Sequence, residues 1–317
     1  MNRSIKLGFH ILFIPLLVSC GAGDNGYGAA TVGEPTGIAD QDSFSISASQ
    51  LRPEARDLNG VQVTITISAS DRNNFPIPDG SVIHFKTSGG TIENACQISN
   101  GVCTVSWTSA NPRPADGIAN ILAYTTGEES YLDANGDDVF DIGDTITTDL
   151  GEAYLDNNHN GSFDQGIDEL VDFNGNNTYD PANGLYDGQS CNSTICGGTR
   201  VHVRSWINLT MSGSFGYLAN LNIPTNSNRT AGSTDTLTFD LTDINGNLLP
   251  DDTTLTITGN NATLNGTYSF NDASTAYSLS VTWGSAGPAI ITIVAETAGT
   301  DTQNGSTSTF NLSYTVN

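Results

Sequence analysis

Between Glu128 and Gly188 the chain carries sixteen carboxylate side chains and not one Lys or Arg. A compact body built from such a segment repels itself, so its shape must come with a source of positive charge. Three near-copies of one pattern indicate that source. The first is Asp133, Asn135, Asp137, Val139 and Asp141, with Asp144 beyond. The second is Asp156, Asn158, Asn160, Ser162 and Asp164, with Asp168 beyond. The third is Asp172, Asn174, Asn176, Thr178 and Asp180, with Asn183 beyond. Oxygen donors at positions 1, 3, 5, 7 and 9 of a Gly-assisted bend are what a hard divalent cation with about six to eight ligands requires.

These loops resemble the EF-hand and dockerin type, a resemblance that implies calcium. Loop one is the most complete: Asp144 stands at position 12, where a last carboxylate closes the coordination sphere, and the Val139 carbonyl serves position 7. In loop two Ile167 stands at position 12 and Asp168 one residue late. In loop three Asn183 stands at position 12. Affinity is therefore expected to fall from loop one to loop three. A solvated acidic linker is the plainer alternative, since Asp, Asn and Gly also make ordinary turns. A linker has no reason, however, to repeat apolar residues at fixed offsets, as Tyr131 with Phe140, Tyr154 with Phe163, and Leu170 with Tyr179 do. These pairs predict a small apolar strip behind the ions, and ion binding is expected to drive the folding of the segment.

The chain begins with a short basic start, Arg3 and Lys6, and an apolar run from Leu7 to Val18. That run is shorter than the roughly 20 residues a membrane-spanning helix needs, and it reads as a secretion signal over 1–19. Leu17-Val18-Ser19-Cys20 resembles the bacterial lipobox, which implies that Cys20 carries acyl chains as the mature N-terminus. Gly21 after it favours the outer membrane of a diderm cell by the same resemblance. Residues 20–37, rich in Gly and small side chains, form a flexible tether that as a coil spans roughly 20 to 25 Å.

Thr, Ser, Val, Ile, Gly and Asn dominate the rest, which favours an all-β fold with many turns. A net charge of -24 argues against nucleic acid and against bare anionic lipid as direct partners. Four cysteines besides Cys20 form two close pairs, Cys96 with Cys103 and Cys191 with Cys196. Secretion favours disulfides, and the competing zinc reading has no convergent His. The turn Ile98-Ser99-Asn100-Gly101 would set Cys96 opposite Cys103 on a hairpin.

An internal repeat sets the architecture. Asp71-Arg-Asn73 leading to Pro78-Asp79 matches Asp243-Ile-Asn245 leading to Pro250-Asp251, and Val105-Ser-Trp107 matches Val281-Thr-Trp283. Alternating strands flank each match, and both tryptophans fall on the apolar face of their strand. Two β-sandwiches follow, at 38–127 plus 199–211 and at 212–317. The first copy resembles the bacterial Ig-like repeats of the invasin and intimin type. The resemblance rests on the run Val63 to Thr87, on Gly89-Gly90-Thr91, on the Asn100-Gly101 turn and on the Trp107 strand. It implies an Ig-like sandwich of extracellular stalks and adhesins, without a catalytic residue. In the second copy Ala289 to Glu296 passes almost directly into a last strand, whereas in the first Ile118 to Thr125 must find Val201 to Leu209. The acidic segment 128–198 is thus an insertion between the last two strands of the first sandwich, with Cys191 and Cys196 at its exit. Strand count places it near the tether, with the second sandwich pointing away.

No nucleophile elbow, phosphate-binding glycine loop or zinc-protease pattern occurs. His84 and His202 read as surface strand residues, and His159 lies at a loop position that usually points to solvent. The expectation is a non-enzymatic, calcium-stabilised lipoprotein of the outer membrane. It acts as an adhesion or structural module toward a protein or glycan surface partner. The alternative is a calcium-dependent carbohydrate-binding or enzyme-accessory lipoprotein.

Overall fold

The computed structural model describes residues 33–271, 273–299 and 303–317, so the secretion signal, Cys20 and most of the tether lie outside the described residues. Alternation decides where the strands run. In Gln62–Ala69 the side chains of Val63, Ile65, Ile67 and Ala69 are buried and their neighbours are not, and Leu237, Phe239 and Leu241 repeat this in Thr234–Thr242. Period-2 burial of this kind leaves one face for a second sheet.

Two sandwiches result, and the chain is all-β with Ig-like tandem architecture. In the first, one sheet runs in the order Phe44–Ala48, Gln62–Ala69, Val102–Thr108, Thr91–Ile92. The facing sheet holds Ala95–Gln97, Val82–Thr87, Ile118–Glu128 and Val201–Thr210, with Ala39–Asp40 joined in parallel at the end of Ile118–Glu128. The second sandwich opposes Tyr217–Ala219, Thr234–Thr242, Ala276–Trp283, Ala262–Leu264 to Asn228–Arg229, Thr307–Val316, Gly287–Glu296, Thr254–Asn260.

Trp107 and Trp283 are both buried core residues, and each finds an acceptor for its indole N–H: the Gly89 carbonyl at 2.8 Å and the Asp235 carboxylate at 2.6 Å. Gly90 is tied to this packing. Its φ is +70°, and a Cβ there would lie 2.5 Å from the Trp107 ring. The repeated Asp-x-Asn turn is equally exact in its chemistry. The buried Asp71 carboxylate accepts from the Asn73 and Phe75 amides, and the buried Asp243 carboxylate accepts from those of Asn245 and Asn247. The second oxygen reaches back to the incoming chain, at Thr36 and Gly37 for Asp71 and at Gly213 for Asp243.

Cys96 and Cys103 form a disulfide, but not across a hairpin. Cys96 belongs to Ala95–Gln97, paired with Val82–Thr87, while Cys103 belongs to Val102–Thr108, paired with Gln62–Ala69 in the other sheet. The turn between them is a tight Asn100-Gly101 turn with both residues at positive φ, closed by the Ser99 and Val102 backbones. Its two strands splay at once into opposite sheets, so the disulfide ties the sandwich through its thickness.

Ile118–Glu128 pairs with Val201–Thr210 without a break, from Ile118 opposite Thr210 to Gly127 opposite Val201. The acidic segment therefore leaves and rejoins the sheet at one end, beside Ala39–Asp40. It then folds back over the sheet. Leu122 and Tyr124, on the outer face of Ile118–Glu128, pack under Ala153, Leu155 and Val171. This apolar floor explains why Ile118–Glu128 is buried on both faces.

The sandwiches meet at the opposite end. The connecting residues Met211, Ser212 and Ser214 are buried, the Arg52 guanidinium pairs with Asp251 at 2.6 Å, and Asn247 donates to the Asp116 carbonyl. The buried Glu54 of the first sandwich accepts from the Thr297 hydroxyl at 2.7 Å and the Gly299 amide at 2.8 Å in the second. A carboxylate shielded from water and held by two donors makes a strong joint. Glu54→Ala is expected to leave both sandwiches folded but uncoupled, so that one calorimetric transition becomes two. Asp243→Ala strips three amides of their acceptor and is expected to destabilise the second sandwich by about 3 kcal/mol in urea unfolding.

Candidate metal centre

The segment 128–198 is built from one unit used twice. Glu129-Ser130-Tyr131-Leu132-Asp133 and Glu152-Ala153-Tyr154-Leu155-Asp156 share the pattern Glu-x-Tyr-Leu-Asp. Each starts a short hairpin: Ser130–Leu132 pairs with Thr145–Thr148, and Ala153–Leu155 with Glu169–Val171. Loops one and two are the turns of these hairpins. A bulge between Ile146 and Thr148 absorbs the extra residue of that second strand, while loop two takes its own extra residue between Asp164 and Asp168.

Inside the loops the residues fold alike. The Asp133 carboxylate accepts from the Gly136 and Asp138 amides, and Asp156 from those of Asn160 and Gly161. Positions 4 and 6 are left-handed in each of the three loops: Gly136 and Asp138, His159 and Gly161, Gly175 and Asn177. Gly, Asn, Asp and His are the residues that tolerate this conformation best. A second carboxylate then spans the loop. Asp144 accepts from Ala134 and Asp141, the amides of positions 2 and 9, at 2.9 Å each. Asp168 accepts from the matching amides of Asn157 and Asp164, at 2.8 and 2.7 Å. The one-residue delay of Asp168 is taken up by the turn that the Ile167 and Asp168 amides make onto the Asp164 carbonyl.

Loop three is closed from elsewhere. Asp172 accepts from Gly175, Asn176 and Asn177, but the carboxylate that accepts from Phe173 and Asp180 at positions 2 and 9 is Glu152, at 2.7 and 3.2 Å. Asn183 is not part of this loop. Its amide and that of Gly184 donate to Asp149, its side-chain oxygen accepts from Leu185, and its side-chain nitrogen donates to Asp187. These are the relations of positions 1, 5, 6, 7 and 9. Glu129 completes the set by accepting from Leu150 and Asp187 at 2.6 and 2.9 Å. A fourth loop of the same form therefore exists in two pieces, Asp149-Leu150 and Pro181 to Asp187, with loops two and three inserted between them.

The loops associate in pairs through the aromatic residue at position 8. Phe140 of loop one stacks on Tyr186 of loop four with centroids 4.6 Å apart, and Phe163 of loop two stacks on Tyr179 of loop three at 4.5 Å. Tyr131 and Tyr154 stand edge-on to their pairs. Leu170 lies opposite Tyr154 in the hairpin ladder. The disulfide Cys191–Cys196 closes a loop whose backbone bonds to Phe140 on one side and Tyr186 on the other, so it clasps loops one and four together.

Positive charge arrives from the sandwich. Arg72 donates to the Tyr131 hydroxyl and to the Asp138 carbonyl, Arg204 donates to the Gly151 carbonyl at 2.8 Å, and Lys86 pairs with Glu169 at 2.5 Å. His159 turns toward Asp116, 3.6 Å away, rather than to solvent. His202 is half-buried against the Phe173 ring, while His84 is exposed. Burial pushes the Glu129 carboxyl up to about 7, against the pull of the Leu150 and Asp187 amides. Asp164 is held low by the Asn158 and Asn160 side chains.

At the loop centres the side chains of positions 3, 5 and 9 turn toward one another. Asn158 and Asn160 both donate to Asp164, and Asn174 and Asn176 both donate to Asp180, over 2.6 to 2.8 Å. Asn135 donates to Asp137 at 3.1 Å and Asp141 at 3.4 Å. Among the described residues, no three His, Cys, Asp or Glu side chains converge closely enough to hold a metal by themselves. The donor sets mix carboxylates with amides, and an all-oxygen set of that kind suits a hard cation rather than a transition metal. In loop one such an ion would be held by Asp133, Asn135, Asp137, the Val139 carbonyl, Asp141 and Asp144. Loop two would use Asp156, Asn158, Asn160, Ser162, Asp164 and Asp168. Loop three would use Asp172, Asn174, Asn176, Thr178 and Asp180, with Glu152 where Asn183 was expected.

No protein family matches the chain, and no curated protein does. Solved structures similar to it include Yersinia pseudotuberculosis InvD, at 14% identity over 87% of this chain and 58% of that one, with a TM-score of 0.38. The adhesin InvE of the same organism is 13% identical over 89% of this chain and 61% of that one, with a TM-score of 0.27. Invasin, described as a bacterial integrin-binding protein, is 13% identical over 86% and 60%, with a TM-score of 0.22. The chain thus spans about three fifths of the length of these proteins.

Glu152→Gln, which replaces a charged acceptor by a neutral one, is expected to speed hydrogen exchange at the Phe173 and Asp180 amides by about tenfold. Asn183→Ala is expected to leave those two amides unchanged and to loosen Leu185.

Proposed function

We propose that this chain is a calcium-stiffened surface module: a lipoprotein held at the outer membrane through Cys20, displaying two Ig-like sandwiches for adhesion or structural support. The observation that carries the calcium part is the recurrence of one arrangement in all four loops, a single carboxylate accepting from the amides of positions 2 and 9. In our reading that carboxylate takes the role of the twelfth ligand of an EF-hand loop. Glu129 and Glu152 thereby join the ligand set, and with Glu152 in place loop three has a full complement of acid at its rim.

Calcium would supply charge compensation to a segment with no base of its own and fix the relative position of the paired loops. The module sits at the end of the first sandwich where Ala39–Asp40 begins, and the second sandwich is jointed to the other end. Stiffening would therefore act on the part of the protein next to the tether, while the second sandwich carries the surface that meets a partner. The adhesion or structural role follows from the secretion signal and lipobox resemblance together with tandem sandwiches fixed by a buried joint.

Calorimetric titration of the mature protein with CaCl₂ is expected to show saturable heat with more than one binding event, Glu152→Gln losing one of them. Limited proteolysis is expected to cut within 128–198 at least tenfold faster in chelator than in calcium, with both sandwiches surviving. Equal cleavage in the two conditions, or no heat at millimolar CaCl₂, would remove the calcium part of the reading.

A further inference from the structure

We infer that the crevice beside Trp206 is a binding site for a neutral saccharide. Trp206 lies in the middle of Val201–Thr210, opposite Leu122, on the outer face of the sheet, and 60% of its surface is exposed. A lone exposed apolar side chain has little meaning. This one borders a cavity of about 280 Å³ between the sheet and the acidic module, lined also by Tyr154, Tyr179, Asn120, Arg204 and Asp156. The module covers Leu122 and Tyr124 on the neighbouring strand but stops short of Trp206.

The walls are fixed in place before any ligand arrives. Arg204, Trp206 and Asn208 form one row on the strand, and the buried Asn120 donates to Asn208 across the ladder at 2.9 Å. Arg204 reaches over to the Gly151 carbonyl of the module at 2.8 Å, and Tyr179 stacks on Phe163. Gly151 keeps the floor open, since a Cβ there would come within 2.9 Å of the Tyr179 hydroxyl. Such preorganisation lowers the ordering cost of binding.

The lining selects the ligand class. The exposed Trp206 indole offers a flat apolar face to the C–H side of a sugar ring, with the Tyr154 and Tyr179 side chains beside it, and the amide, guanidinium and carboxylate offer donors and acceptors to its hydroxyl groups. Arg204 is opposed by Asp149 and Asp156 in the same lining, so no surplus positive charge favours a phosphate or an acidic sugar. The volume, at the lower limit of the roughly 300 to 1,000 Å³ typical of small-molecule sites, has room for one or two sugar rings and not for a folded partner. This goes beyond the surface-module reading but rests on it for the shape of the module, since Tyr154, Asp156 and Tyr179 belong to the loops.

The chain has three tryptophans, and Trp107 and Trp283 are buried, so fluorescence changes on ligand addition report Trp206. The mature protein is screened on an array of neutral and anionic glycans. Its fluorescence is then titrated with cellotriose, maltotriose, chitotriose and mannotriose, in calcium and in chelator. A saturable change with at least one neutral glycan, weakened at least tenfold in a Trp206→Ala variant of unchanged circular dichroism, is the expected result. Absence of any neutral glycan from the bound set, or binding that survives Trp206→Ala, would overturn the inference. Calcium titration heat is read separately, so that a failure of the cation reading is not mistaken for a failure of this one.

Discussion

The unbroken pairing of Ile118–Glu128 with Val201–Thr210 is the constraint on which the rest of the molecule depends. It brings the two ends of the acidic segment to adjacent strands at one edge of the sandwich, so the insertion never has to cross the core. Loop-closure entropy grows only slowly with length, and a long excursion between two such strands costs the sandwich little. The same ladder shows one face inward to the core and the other to the insertion, which gives a strongly anionic segment an apolar surface to lie on. Arg72, Lys86 and Arg204, all on the sandwich, then deliver the positive charge the segment lacks.

Charge compensation and packing are thereby divided between two sources. The stack of Phe140 on Tyr186 supplies a small buried interior between one pair of loops, and that of Phe163 on Tyr179 a half-buried contact between the other. The rims stay acidic and wet, each shaped by carboxylates that hold backbone amides rather than bases. The consequence is a pre-bent scaffold whose repulsion is concentrated at four points.

Much of this was legible in the residues. Alternation in Gln62–Ala69 and Thr234–Thr242, the paired Asp-x-Asn turns and the two tryptophans marked out the sandwiches, because each reflects local geometry and one-sided burial. That loops one to three are three copies of one bend was equally readable, the residues that shape each bend being close in sequence. What escaped was whatever depended on contacts between distant segments. Counting along the chain put Asn183 at the twelfth position of loop three, whereas the carboxylate that accepts from the amides of positions 2 and 9 of that loop is Glu152, from the other side of the hairpin. The signal was present in the repeated Glu-x-Tyr-Leu-Asp, and in Asn183-Gly184 with Tyr186-Asp187, which copy positions 5, 6, 8 and 9. The Cys96–Cys103 geometry escaped for a related reason: a tight turn specifies reversal of the chain, not which sheet the next strand joins.

The division of loop four into two pieces carries a kinetic consequence. Leu150 and Pro181 become neighbours in that loop only when the intervening hairpin, with loops two and three, has collapsed enough to draw its own ends together. Assembly of the insertion must therefore proceed from the inside outward, the inner pair acting as the clasp that creates the outer one. Closure of loop four would be conditional on the inner pair, whereas loop one, contiguous in the chain, is free of that condition.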